Sequence, residues 1–295
     1  MSPRVSTAKL ADRLPPQSFF LVSAVFHYLG PSLAVLLFAR VNVLGVAWLR
    51  IASAAVVFAL WRRPWRSAAR LDRRRRLILL ELGATLAAMN ILFYLAVARL
   101  PLSTVGAIEF LGTIVLAAFG ARTKRNAAAL ALTILGVLTI TEIRFAGQQI
   151  GFLFAFGNCA LFMLYVILGH RIANTGGKPG GGHSGIDQLG ASMLVAALLA
   201  APAGFGAALP ALSHPLLLLA GAGVGICSSV IPYVTDQLAM ARLPRATFAL
   251  MLALLPMFAT IIGAIVLRQL PTIGDLTGIA MVIAGVALHQ SPSAR

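Results

Sequence analysis

Two ionisable side chains interrupt long apolar runs of the sequence, Arg50 and Glu109. A charge in hydrocarbon is costly unless it is paired, hydrogen-bonded or wet, so each is a functional candidate by position alone. Arg50 lies about seven residues into the run 43–61 and Glu109 about eight into 101–121, which at the helical rise places both roughly 10 to 12 Å below one surface. Asn90, approached from the opposite end of the run 77–98, reaches the same level. Opposite charges at one depth predict a single buried constellation. It has two readings: a structural Arg50–Glu109 ion pair between packed helices, or groups that bind a solute and exchange partners during a transport cycle. Asn90 serves either as interhelical glue or as a ligand.

Other polar groups are more sparsely placed. Asp236 and Glu81 fall near the ends of their runs, where interfacial water is an alternative to a role in transport. Gly30-Pro31 and Ile231-Pro232-Tyr233 put proline inside apolar runs. An internal proline frees a backbone carbonyl, which protein or a wet cavity must satisfy. His27 and Tyr28 beside the first break, Tyr94 in the third run, and Asn158 and Tyr165 in the sixth supply further candidate lining. Cys159 and Cys227 have no CxxC or histidine neighbours and read as small buried apolar residues rather than metal ligands. Gly221, Gly223 and Gly225 read as helix-packing positions, and no GxxxxGK[ST] motif occurs, which argues against ATP as a driver. No catalytic or cofactor-binding set is evident.

These residues need elements to hold them. With 59% hydrophobic and 11% charged residues, and a mean hydropathy of +0.91, the chain has too little polar surface to fold in water. The bilayer is its solvent, and about 20 apolar residues make one helical span. Windows of that size predict helices over 19–39, 43–61, 77–98, 101–121, 126–142, 149–169, 187–207, 215–239, 246–267 and 273–289, an all-α membrane protein of about ten spans. The basic, then apolar, stretch 1–39 lacks a clear small-residue cleavage site, so an uncleaved first helix is expected.

The net charge of +16 does not signal nucleic acid, because the basic residues sit in short loops. Residues 62–76 carry eight arginines, and fixing that segment in the cytoplasm places 19 Lys and Arg inside against four outside, with both termini inside. The segment 172–184 reads as a glycine-rich tether. Ala98-Arg99-Leu100-Pro101 recurs as Ala241-Arg242-Leu243-Pro244, and Leu44-Gly45 with Leu49 is echoed by Leu189-Gly190 with Leu194. The echoes predict two five-helix repeats, 1–145 and 146–295; an odd helix number inverts one relative to the other.

Leu49-Arg50, Met89-Asn90, Leu92-Phe93-Tyr94-Leu95, Leu100-Pro101-Leu102, Ala107 to Phe110, Pro232-Tyr233, Asp236, Arg242-Leu243-Pro244, Thr247-Phe248 and Pro256 together resemble the EamA-type branch of the drug/metabolite transporter superfamily, nearly end to end. The resemblance implies a ten-helix inner-membrane carrier with a central cavity, alternating access, and export of small metabolites, most naturally amino acids such as threonine and homoserine, by proton exchange. The chain departs from the branch at Gly112-Thr113 in place of Gly-Pro, at Leu255 in place of Glu, and at Arg268-Gln269 in place of Gly-Glu. The departures bear on substrate and coupling rather than on fold. The alternatives are uncoupled transport of another metabolite or drug, a membrane-embedded enzyme, and a scaffold or sensor.

Overall fold

The computed structural model describes residues 15–69, 71–118, 123–142, 148–174, 182–243, 248, 251–252 and 254–288. The run 175–181 of the expected tether, the first 14 residues, and Pro244 of the sequence echo lie outside them. Among the described residues ten long helices follow one another and there is no strand: α1 Pro16–Leu37, α2 Val43–Arg62, α3 Arg73–Val97, α4 Leu102–Ala118, α5 Lys124–Glu142, α6 Gln149–Ala173, α7 Gly182–Leu212, α8 Pro215–Met240, α9 Leu255–Leu267 and α10 Ile273–Leu288. Six of them, α1, α2, α3, α6, α7 and α8, are long and apolar enough to cross a membrane. Leu60, Leu198, Leu216 and Ile265 turn outward, an apolar exterior suited to lipid rather than water.

Local chemistry sets the helix ends, and here the sequence reading needs correction. Asp72 accepts a hydrogen bond from the Arg75 amide at 3.0 Å, an N-cap that starts α3 at Arg73 instead of residue 77. Arg73 to Arg76 therefore form the first turn of α3. The rest of the expected loop includes a single helical turn, Trp65–Ala68. Asn42 caps α2 by accepting from the Leu44 amide. α7 is longer than 187–207 and runs through Pro202 and Pro210 without ending. Inside α8, residues Ile226–Val230 form one π-helical turn just ahead of Pro232, a feature that polarity and hydropathy do not announce.

The packing has a regular pattern. α2 packs on α7, α4 on α9 and α5 on α10; α3 packs on α6 and α7, as α8 packs on α1 and α2; α4 packs on α6, as α9 packs on α1. Exchanging each helix n with n+5 leaves these pairs unchanged, whereas the packing of α4 on α5 has no α9–α10 counterpart among the described residues. The polar candidates sit where α1, α2, α3, α4, α6 and α8 converge.

α8 is held very close to its neighbours at that point. A Cβ on Gly225 would stand 2.7 Å from the Arg50 carbonyl oxygen in α2, and one on Gly30 of α1 would stand 2.6 Å from the Ser228 amide nitrogen. Neither contact has room for a methyl group. A Cβ on Gly223, two residues away, meets nothing within 4 Å. Gly225→Ala should therefore destabilise the protein by about 1 to 3 kcal/mol through overpacking, whereas Gly223→Ala should leave stability unchanged or slightly raised. Thermal unfolding in detergent compares the two, and equal behaviour would contradict the close approach.

Candidate functional site

The basic pole of the site is built by a proline. Pro232 has no amide hydrogen, so it cannot bond to the carbonyl four residues back, that of Ser228. Arg50 Nη2 donates to that carbonyl at 2.8 Å, and Arg50 Nε donates to Ser229 Oγ at 2.9 Å. A longer contact runs from Nη2 to the Tyr233 hydroxyl at 3.5 Å. The guanidinium also lies 5.3 Å from the centroid of the Tyr94 ring, within cation–π range. Thus α8 holds the guanidinium with backbone and hydroxyl groups. These hydrogen bonds use Nε and Nη2; Nη1 has no partner among them.

The acidic pole is built from three other helices. Glu109 Oε1 accepts from Asn158 Nδ2 at 2.9 Å, and Oε2 accepts from the Tyr28 hydroxyl at 3.3 Å. His27 Nε2 stands 3.9 Å from the same Oε2. Glu109 is 2% exposed and Arg50 4%, so both are removed from bulk water. Among the described residues Arg50 and Glu109 form no ion pair with each other. That corrects the structural-pair reading: the two charges share a depth, but each is held by its own set of partners.

They face a common space. His27, Pro31, Arg50, Met89, Asn90, Phe93, Glu109, Asn158 and Tyr233 line a cavity of about 10 Å³, which admits about one water. Asn90 bridges within it, donating to the Leu86 carbonyl of its own helix at 2.6 Å and accepting from the Tyr233 hydroxyl at 3.4 Å. Asn90 is thus glue between α3 and α8 and lining at once. Tyr94, Tyr28 and Gly30 stand behind the lining, as ring partner of Arg50, donor to Glu109 and close contact of Ser228 respectively.

A second buried acid sits one storey away on α8. Asp236 is 1% exposed and accepts from Ser23 Oγ at 2.5 Å and from the Tyr165 hydroxyl at 3.1 Å. The Tyr165 and Tyr233 rings, with centroids 5.3 Å apart, connect it to the Arg50 pole. Interfacial solvation therefore does not describe Asp236, whereas Glu81 is exposed. Sequence reasoning missed Ser23, Ser228, Ser229, Met89 and Phe93. For Ser228 a signal was present, since it lies four residues before Pro232.

No protein-family model matches the chain. It is 31% identical over 261 residues, 86% of its own length and 84% of the relative's, to a protein of Escherichia coli (strain K12) named threonine/homoserine exporter RhtA. A protein of the same name from Salmonella typhimurium (strain LT2) is 31% identical over 285 residues, 95% and 92% of the two chains. The chain belongs to the EamA-type branch of the drug/metabolite transporter superfamily. A solved crystal structure with 19% identity superposes with a TM-score of 0.61 over 93% of this chain and 98% of that one, so the fold is shared.

As an EamA-type transporter the chain rebuilds one of its departures with a different residue. Gln269 Oε1 accepts from the Leu102 amide at 3.1 Å and so caps α4, the helix that carries Glu109. Arg268 adopts φ 54°, the left-handed conformation glycine favours, to end α9.

Arg50→Gln removes the donor that holds the Ser228 carbonyl, and an unsatisfied buried carbonyl costs about 1 to 3 kcal/mol. Pro232→Ala returns an amide hydrogen to α8 that can bond the same carbonyl. In thermal unfolding of the single and double variants, Arg50→Gln should therefore be less damaging in the Pro232→Ala background. Strictly additive losses would contradict the carbonyl's role in holding Arg50.

Proposed function

We propose that this transporter resides in the inner membrane with both termini cytoplasmic and exports small amino acids of the threonine and homoserine kind in exchange for protons. Alternating access arises between two inverted repeats, residues 1–145 and 146–295. The exchange symmetry of the helix packing supports the repeats, and the charge bias of the loops supports the orientation. The relatives' name supports export and a small amino acid as cargo.

One observation carries the reading: Arg50 and Glu109 line one buried cavity and are satisfied by different partners, not by each other. A pair that served only to hold helices together would close on itself, since a buried charge is best compensated by direct contact. Two separated opposite charges over a shared space are arranged to receive something. With room for about one water, the cavity corresponds to a closed arrangement that must widen on one side at a time. Glu109 alternates between a carboxylate and an acid as the solute leaves and a proton enters. Asp236, bonded to Tyr165 and Ser23, is the second proton-accepting group on the route toward the cytoplasm.

The energetics are adequate. One proton moving down a 100 mV potential releases about 2.3 kcal/mol, which sustains roughly a fortyfold gradient of a neutral solute. In proteoliposomes, amino-acid efflux should be accelerated by an opposing proton gradient, and Glu109→Gln should keep exchange but lose the acceleration. Efflux indifferent to a proton ionophore would leave uncoupled transport as the better account. For orientation, single cysteines in segment 62–76 and at the C-terminus, in a background without Cys159 and Cys227, should resist an impermeant thiol reagent in intact cells. Labelling of either from outside would overturn the topology.

A further inference from the structure

We infer that the cavity recognises its solute by both ends, taking a carboxylate at Arg50 and an ammonium at Glu109 together with the side-chain carbonyl of Asn158. The inference rests on the export reading above and specifies the orientation and the required groups of the solute.

The acidic end carries the strongest signal. Asn158 is fully buried; its amide nitrogen is spent on Glu109, while its Oδ1 is a buried acceptor with no hydrogen-bond partner among the described residues. Buried acceptors are almost always satisfied, and one left open in a cavity wall points to a donor that arrives from elsewhere. The side chain beside it is a carboxylate, also an acceptor. A ligand that serves both must bring several donors and positive charge, and an ammonium group brings three donors and no acceptor. A hydroxyl brings one donor and no charge.

The basic end complements it. The guanidinium is fixed through Nε and Nη2 by Ser229 and the Ser228 carbonyl, so its orientation is set before any solute arrives, and those contacts leave its Nη1 edge unused. A planar, permanently charged guanidinium is the side chain best suited to a carboxylate. Beside the polar Asn90, Tyr233 and His27 the lining carries an apolar wall of Pro31, Met89 and Phe93. Methionine is the most adaptable of the apolar residues, so this wall accommodates a short side chain when the cavity widens. The arrangement selects for the α-amino acid head group and only loosely for the side chain.

The test is competition for radiolabelled L-threonine bound to the purified, unmodified protein in detergent. L-threonine amide lacks the carboxylate and N-acetyl-L-threonine lacks the ammonium; each should compete at least about tenfold more weakly than L-threonine, the loss expected when a charge-assisted contact is removed. Arg50→Lys should narrow the gap between threonine and its amide, and Asn158→Leu should narrow the gap between threonine and its N-acetyl form. The series on the unmodified protein decides the matter if either variant fails to fold. Equal competition by threonine and both derivatives would overturn two-ended recognition and leave amino-acid export standing. A protein that transports other solutes but retains none of these three would overturn the export reading as well.

Discussion

The site depends on a hydrogen bond that α8 cannot make. Because Pro232 has no amide hydrogen, the Ser228 carbonyl is offered sideways, and the π-helical turn at Ile226–Val230 aims that stretch of backbone at α2. Arg50 takes it, and with the Ser229 hydroxyl the guanidinium is anchored. A buried guanidinium with no such anchor would be drawn onto the one carboxylate lining the same cavity, Glu109, and the site would be an inert salt bridge. The proline thus keeps the guanidinium from closing on Glu109 whenever Glu109 is a carboxylate.

The same anchor ties the helix packing to the chemistry. Gly225 and Gly30 let α8 approach α2 and α1 closely enough for Arg50 to reach Ser228 and for Ser23 to reach Asp236. On the proposed division into repeats, Arg50 to Ser228 and Ser229, Asn158 to Glu109, and Ser23 to Asp236 all join one repeat to the other. Tyr28 to Glu109 and Tyr165 to Asp236 stay within a repeat. Moving one repeat against the other therefore exchanges the first set and preserves the second. Under the proposed alternating access each carboxyl would keep one tyrosine hydroxyl and give up one partner, a change that would tie its protonation to the conformation.

Much of this was legible in the sequence. Hydropathy windows predict ten spans because lipid demands about 20 apolar residues per helix, and depth arithmetic alone brings Arg50, Glu109 and Asn90 to one cavity. Depth gives a level but not a direction around the helix axis, and for that reason the direct Arg50–Glu109 pair does not follow. The direction depends on the π-helical turn in α8, which rotates the residues beyond it, and no local composition marks that turn. For Asp236 a level near a helix end leaves interfacial water open as an alternative for a related reason: Tyr165 and Ser23, which enclose it, come from α6 and α1, and only packing brings them there. The early start of α3 was in principle readable, since Asp72 ahead of an arginine run is a helix N-cap signal.

On the proposed proton exchange, solute binding displaces a proton from the site, with Glu109 as the group that gives it up. Linkage makes this directly measurable: a group that loses a proton on binding releases it to the medium. Purified protein in a weakly buffered solution containing a pH-indicator dye, mixed with L-threonine, should release up to about one proton per bound solute, with Glu109→Gln releasing markedly less. Binding of the solute to the unmodified protein without any proton release, across the pH range in which it binds, would contradict the account.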